Sequence, residues 1–210
     1  MTAAGGSSGA GGWRSWARAL AAGLLLLVVA IVVLLSIFVR RIADDEMSWS
    51  LRRGEFVLVV PDRVRPADVV MLRDPLDPAR TVLRRVVARG GQKVSFDEGG
   101  ARIDAKRLRQ QEMGDQPGIF VRKETIWSKP PARANDHLLA VRSPVTRWIS
   151  PGVVTVPEGH LFLLADARDA AVDSRWWGPV PESAVIGVVR AHLAEPDLWR
   201  PRLRLLRPEE

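Results

Sequence analysis

The stretch "TVLRRVVARGGQKVSF", residues 81–96, decides the reading of the fold. Val, Thr and Phe crowd two short runs with Gly90 and Gly91 between them, the composition of strands divided by a turn. The same texture extends outward on both sides. "EFVLVV" (55–60) and "DVVMLR" (68–73) precede it; "GIFVRKETI" (118–126), "HLLAVR" (137–142), "VVTV" (153–156) and "HLFLLA" (160–165) follow. No long run of helical period interrupts them. A mainly β domain results, antiparallel and compact, barrel-like or coiled. Residues 97–152 are more polar and broken by proline, as in "QQEMGDQPG" and "KPPARAND", and read as a smaller β insertion or cap. The tail "LWRPRLRLLRPEE" reads as a final edge segment, with contact to anionic lipid as the alternative.

Before this domain comes a different chemistry. Residues 1–18 form a tail of small residues and an interfacial lead-in carrying Trp13, Arg14, Trp16 and Arg18. Residues 19–39, "ALAAGLLLLVVAIVVLLSIFV", hold no charge. As a helix they reach about 31 Å, close to the ~30 Å hydrocarbon thickness of a bilayer. A cleaved signal peptide would have a shorter apolar core and small residues at its cut site, whereas the exit here is "RRIADD". A retained single transmembrane helix is expected, with residues 40–210 as the domain beyond it. Arg14 and Arg18 face Arg40 and Arg41 across the span, so charge bias alone does not orient it.

The chain of 210 residues has no cysteine, which excludes disulfides and thiolate metal sites. Its formal charge is +7, carried mainly by arginine; Lys93, Lys106, Lys123 and Lys129 are the four lysines. No basic stretch interleaves with aromatics, so no nucleic-acid partner is expected. His137, His160 and His192 lack ligand spacing, and neither a metal nor a cofactor is expected.

Two segments carry chemistry. "DDEMSWSLRRGEFVLV" (44–59) crowds Asp44, Asp45 and Glu46 just past the span. "ADARDAAVDSRWWGPVP" (165–181) concentrates Asp166, Arg168, Asp169, Asp173, Ser174 and Arg175 beyond the needs of a surface loop; buried charges of this kind must pair and so fix a rigid turn network. The second segment resembles the last signature box of bacterial type I signal peptidases, "GDNRDNSxDSRxWGxVP". The likeness continues in order. "EMSWSLRRGEFVLV" is similar to that family's "SMxPTLxxGDxxLV", "PADVVMLRDPLDP" to "GDIVVFxxP", "TVLRRVVARGGQKV" to "xYIKRVVGLPGDKV", and "GGARIDAKRL" to the hairpin "xGxLYINGxxL". The resemblance implies a Ser/Lys endopeptidase ancestry, an N-terminal anchor in the bacterial cytoplasmic membrane, a cytoplasmic N-terminus and an extracytoplasmic β domain.

The departures fall on the chemistry. By the resemblance, the nucleophile position is Glu46, the general-base position is Arg84, the oxyanion-hole Ser position is Asp44 and the base-supporting Ser position is Ala171. Met47, Leu51, Arg85, Asp166, Arg168, Asp169, Asp173, Ser174, Arg175, Trp177 and Gly178 keep the scaffold. A Ser/Lys site needs a lysine whose burial lowers its pKa. Arginine titrates above ~12.5, so neutralising it at pH 7 costs at least about 7 kcal/mol. Because Ser and Lys touch in the ancestor, Glu46 and Arg84 are expected to pair and plug the old site, the alternative being two solvated side chains. A pseudoenzyme is therefore expected, with a peptide groove bounded by Ile42, Ala43, Val82 and Leu83 that takes signal peptides of exported proteins or a membrane protein as an added strand. The alternative is an active endopeptidase in which Ser48, sharing an extended face with Glu46, serves as substitute nucleophile. Met47 and Trp49 are read either as dipping into the lipid interface or as packing into the core.

Overall fold

The computed structural model describes residues 12–48, 50–97, 100–116, 119–127, 134–142, 151–169, 171–194 and 202–205. The chain divides into two units, residues 1–39 and 40–210. The first carries helix α1, Gly12–Phe38, in which Ser15–Phe38 has a mean hydropathy of 3.1 and is long and apolar enough to cross a membrane. Its leucines and valines are exposed, as are Trp13 and Trp16 at its start. An apolar surface on every side of a helix suits an apolar surrounding, which fits the expected span.

Strands follow in order: β1 (Val39–Arg41), β2 (Phe56–Val60), β3 (Val69–Arg73), β4 (Thr81–Arg89), β5 (Lys93–Asp97), β6 (Gly100–Ile103) and β7 (Lys106–Arg107). Then come β8 (Arg109–Gln116), β9 (Ile119–Trp127), β10 (Ala134–Arg142), β11 (Val154–Thr155) and β12 (His160–Leu164). The short helix α2 (Ser174–Trp177), β13 (Val180–Pro181), β14 (Val185–Ala194) and β15 (Arg202–Leu205) complete the described chain. The fold is mainly β, as the sequence implies. The eight-stranded sheet runs β1-β2-β14-β3-β4-β12-β13, with β15 also on β14. Separate sheets are formed by β10-β9-β8 and by β11-β5-β6-β7. The tail thus supplies a last strand, β15, pairing antiparallel from Ala191↔Leu205 to Ala194↔Arg202.

β4 is the spine. Residues 82–88 are buried throughout, because both faces are covered. Val82 and Val86 join one core cluster with Val70, Leu72, Leu161, Leu163 and Val188. Leu83 joins another with Ile42, Met47, Leu51, Val57, Val59, Val69 and Met71. Val87 and Ala88 enter a third with Val94, Phe96, Leu108, Ile126 and Phe162. A strand buried on both sides reads as a continuous apolar run, so Arg84 and Arg85 in its middle must each find compensation.

The central strand β14 is absent from the sequence reading, which places no strand between residue 165 and the tail segment. It pairs with β2 from Val188↔Val60 to Leu193↔Phe56 and with β3 from Val185↔Leu72 to Val188↔Val70. Register shifts fall at Ile186 and Arg190, and those bulges break the simple alternation a sequence pattern would show. Arg190 uses its bulge to reach Asp62 and Asp68, with Nε–Oδ2 and Nη1–Oδ1 distances of 2.8 Å each. Within 97–152, the β5–β6 hairpin spans the proposed start, with Asp97↔Gly100 and Val94↔Ile103 in register. The polar stretch 109–116 is also a strand, β8, which its composition does not announce.

Candidate active site and the buried charge network

Glu46, Met47 and Ser48 lie on a turn between β1 and β2. Ser48 N donates to Asp45 O (2.9 Å), and Leu51 N donates to Met47 O (2.9 Å). The turn is held from outside by the bond from Ala167 N to Glu46 O (3.0 Å), which links it to the last box. Met47 is fully buried among Ile42, Leu51 and Leu83, which removes it from any lipid-facing role. Trp49 lies outside the described residues. The turn also overturns the premise for Ser48. Its helical hydrogen bonding replaces the extended run in which Ser48 and Glu46 would share a face, and the Ser48 hydroxyl donates to Asp45 O.

Arg84 and Arg85 are adjacent on β4 and leave it on opposite faces. Arg84 is 1% exposed. Its Nη2 donates to Glu46 Oε2 at 2.5 Å and to Val172 O at 2.7 Å; Nε donates to Val172 O at 3.1 Å and Nη1 to Leu83 O at 2.6 Å. The guanidinium carbon stands 5.6 Å from the centre of the Trp177 ring. The expected Glu46–Arg84 ion pair is present, with the Glu46 side chain 24% exposed. Asp44 Oδ1 accepts from the Glu46 backbone N–H at 3.1 Å. Ala171 is buried in the same cluster as Met47 and Leu83.

Arg85 grips Asp166 with two prongs, Nε–Oδ1 2.8 Å and Nη2–Oδ2 2.5 Å, and Nη2 also meets Ser50 Oγ at 3.1 Å. Burial alone pushes the Asp166 carboxyl up; the Arg85 guanidinium outweighs it and holds the group below the usual range. Asp173 caps α2 through Arg175 N and binds the Arg175 side chain at 2.8 Å through each oxygen. Its Oδ2 also takes Ala165 N at 3.1 Å, while Ser174 Oγ takes Leu163 N and the Trp177 indole N–H. Arg168 donates to Glu124 Oε2 at 2.6 Å. Asp169 is half-buried beside this network.

Sequence reasoning missed Glu124, His137 and Gln110. Glu124 and His137 are cross-strand partners on β9 and β10, and Gln110 Nε2 donates to Glu124 Oε1 at 2.8 Å. Burial pushes the Glu124 carboxyl up, but Arg168 and His137 bring it well below the ordinary range. The available signal was a lone Glu in the β-rich run 118–126. Among the described residues no group of three His, Asp or Glu side chains is placed to hold a metal.

A family model described as "Signal peptidase, peptidase S26" matches residues 13–194. The chain belongs to the signal peptidase family. Signal peptidase I of Pseudomonas aeruginosa is 27% identical over 70% of this chain and 61% of its own length. Signal peptidase I of Pseudomonas fluorescens is 28% identical over 62% and 49%. Probable signal peptidase I-1 of Synechocystis is 25% identical over 78% and 76%. The chain therefore spans only about half to three-fifths of the two Pseudomonas proteins. A signal peptidase I structure from Enterococcus faecalis V583 covers 61% of this chain and 98% of that chain, at 22% identity and a TM-score of 0.40.

The groove positions divide. Ile42, Val82 and Leu83 are buried, Val82 in a different cluster from the other two, while Ala43 is exposed. Along one side of β4, β3 pairs from Arg73↔Thr81 to Val69↔Arg85. On the other side β12 reaches only as far as Leu164↔Arg85. Among the described residues no strand pairs with that side of 81–84.

Proposed function

We propose that this is a membrane-anchored signal-peptidase-like protein that binds exported precursors, or a membrane partner, without cleaving them. The observation that carries the reading is the state of Arg84. It stands at the position of the family's base, is always charged, and spends its donors on Glu46, Leu83 and Val172. A general base must release a proton at neutral pH, which a guanidinium does not do. Glu46 at the nucleophile position offers a carboxylate already engaged with that cation. Attack by it on an amide would form an anhydride while expelling a poor leaving group. The Asp44 carboxylate takes the Glu46 amide N–H and adds negative charge where an oxyanion would need donors.

Binding survives the loss of chemistry because it uses different groups. A strand adds to a sheet through backbone N–H and C=O, and among the described residues no strand pairs with one side of β4 at 81–84. Helix α1 would tether the protein to the bacterial cytoplasmic membrane, with the N-terminus cytoplasmic and the β domain outside, where emerging precursors pass.

The test is purified full-length protein with a precursor carrying an Ala-x-Ala site. The expected result is no cleavage, together with crosslinking of the precursor to a photoreactive side chain placed at position 43. Cleavage by the unaltered protein would overturn the inactive reading. Cleavage that vanished with Ser48→Ala would put a repaired peptidase in its place. Glu46→Ser combined with Arg84→Lys should restore measurable cutting.

A further inference from the structure

The charge network contains one member with no assigned task. Glu124, His137, Asp166, Arg85 and Arg168 are all buried together. They come from β9, β10, the last box and β4, so the cluster joins the three-stranded sheet to the central one. Both carboxylates are already engaged. Asp166 is gripped by Arg85, and Glu124 by Arg168 and Gln110. Two carboxylates and two guanidiniums balance with the imidazole neutral. His137 Nε2 lies 3.3 Å from Glu124 Oε2 and 4.0 Å from Asp166 Oδ1, and both ring nitrogens are buried without a hydrogen-bond partner.

A proton on this ring would add one net positive charge to a site closed to water, next to carboxylates whose attraction is shared with arginines. Burying such a charge is unfavourable, and opening the site to water relieves it. The consequences reach the candidate site through two hydrogen bonds, Arg85 Nη2 to Ser50 Oγ (3.1 Å) and Ala167 N to Glu46 O (3.0 Å).

We propose that His137 is an acid-sensitive latch: neutral, it lets the balanced charge network keep the β8–β10 sheet and the Glu46 turn in place, and on acidification it loosens both. The groups facing it are Glu124 from β9, Asp166 and Arg168 from the last box, and Arg85 from β4. Burial, then Arg85, pulls the His137 pKa below its ordinary 6.5, while Glu124 and Asp166 oppose this and lose. The opened state therefore takes up the proton first as pH falls. The latch contributes fully above pH 6.5 and weakens below it, by at most about tenfold per pH unit for one proton.

Hydrogen exchange of the full-length protein in lipid nanodiscs, at pH 7.5 and pH 5.5 and corrected for intrinsic rates, reads this directly. Backbone amides in 119–127, 134–142 and 44–51 should lose several-fold protection at pH 5.5, while those in 69–73 and 160–164 hold theirs. His137→Gln, which cannot take the proton, should abolish the pH response. Equal protection at both pH values, or an unchanged response in the variant, would overturn the latch. If the variant does not fold, an NMR titration of the wild-type ring decides: a midpoint below 6.5 supports the proposal, and one at or above 6.5 refutes it.

Discussion

Replacing Glu46 by Gln removes one charge from the plug while preserving its shape. Deleting one partner of a fully buried pair costs about 3–5 kcal/mol, because the other charge is left uncompensated. Three features reduce that figure here. Glu46 is 24% exposed, so water screens the pair in part. Arg84 retains the Leu83 and Val172 carbonyls. The Gln carbonyl can still accept from Nη2, as a neutral hydrogen bond in place of a charge-assisted one. The expected loss is therefore about 2 kcal/mol. For a chain of this size that lowers the midpoint by roughly 4–8 °C. The assay is thermal unfolding in detergent, followed by tryptophan fluorescence. A Glu46→Gln midpoint within about 1 °C of the natural protein would refute the argument, because screening would then have reduced the pair to the surface level of ~0–1 kcal/mol.

Two backbone positions give independent tests of the fold. Asp104 and Ala105, with φ of 51° and 65°, form the two-residue turn between β6 and β7, where Ile103 pairs with Lys106. Left-handed backbone costs an L-residue about 1–2 kcal/mol, and Ala105 is exposed, so Ala105→Gly should raise stability by about 1 kcal/mol and the midpoint by roughly 2–4 °C. No gain would count against this turn. Gly187 sits in β14 opposite Met71, and a Cβ there would fall 2.8 Å from Val59 Cγ1 and 2.9 Å from Val60 O. Gly187→Ala should destabilise by about 1–3 kcal/mol in the same melt, and a neutral result would contradict β14 packing against β2.

Short-range chemistry was legible in the sequence. β4 appears as residues 81–89 because seven consecutive buried positions demand apolar or compensated residues, and β-branched side chains fit that surface. The apolar span was equally plain, since it depends on neighbours in the chain, whereas the hairpin in "GGARIDAKRL" came from the family resemblance. The Glu46–Arg84 pair was predictable from complementary charge at two positions that meet in the family's fold.

Other features depended on which distant segments meet. The place of β14 between β2 and β3 follows from pairings across more than a hundred residues, and its bulges hide the alternation that would have announced it. Met47 is core and Ser48 is on a turn because Ala167 and Leu83 surround that segment, which a local pattern does not encode. His137 looked solitary until β9 and β10 placed it opposite Glu124 and near Asp166. The sequence alone set the apolar span, the run that became β4, and the opposite charges of Glu46 and Arg84. Tertiary structure decided which charges are shut away from water together, because burial is a property of the assembled sheets and sets the energy of every charge within them.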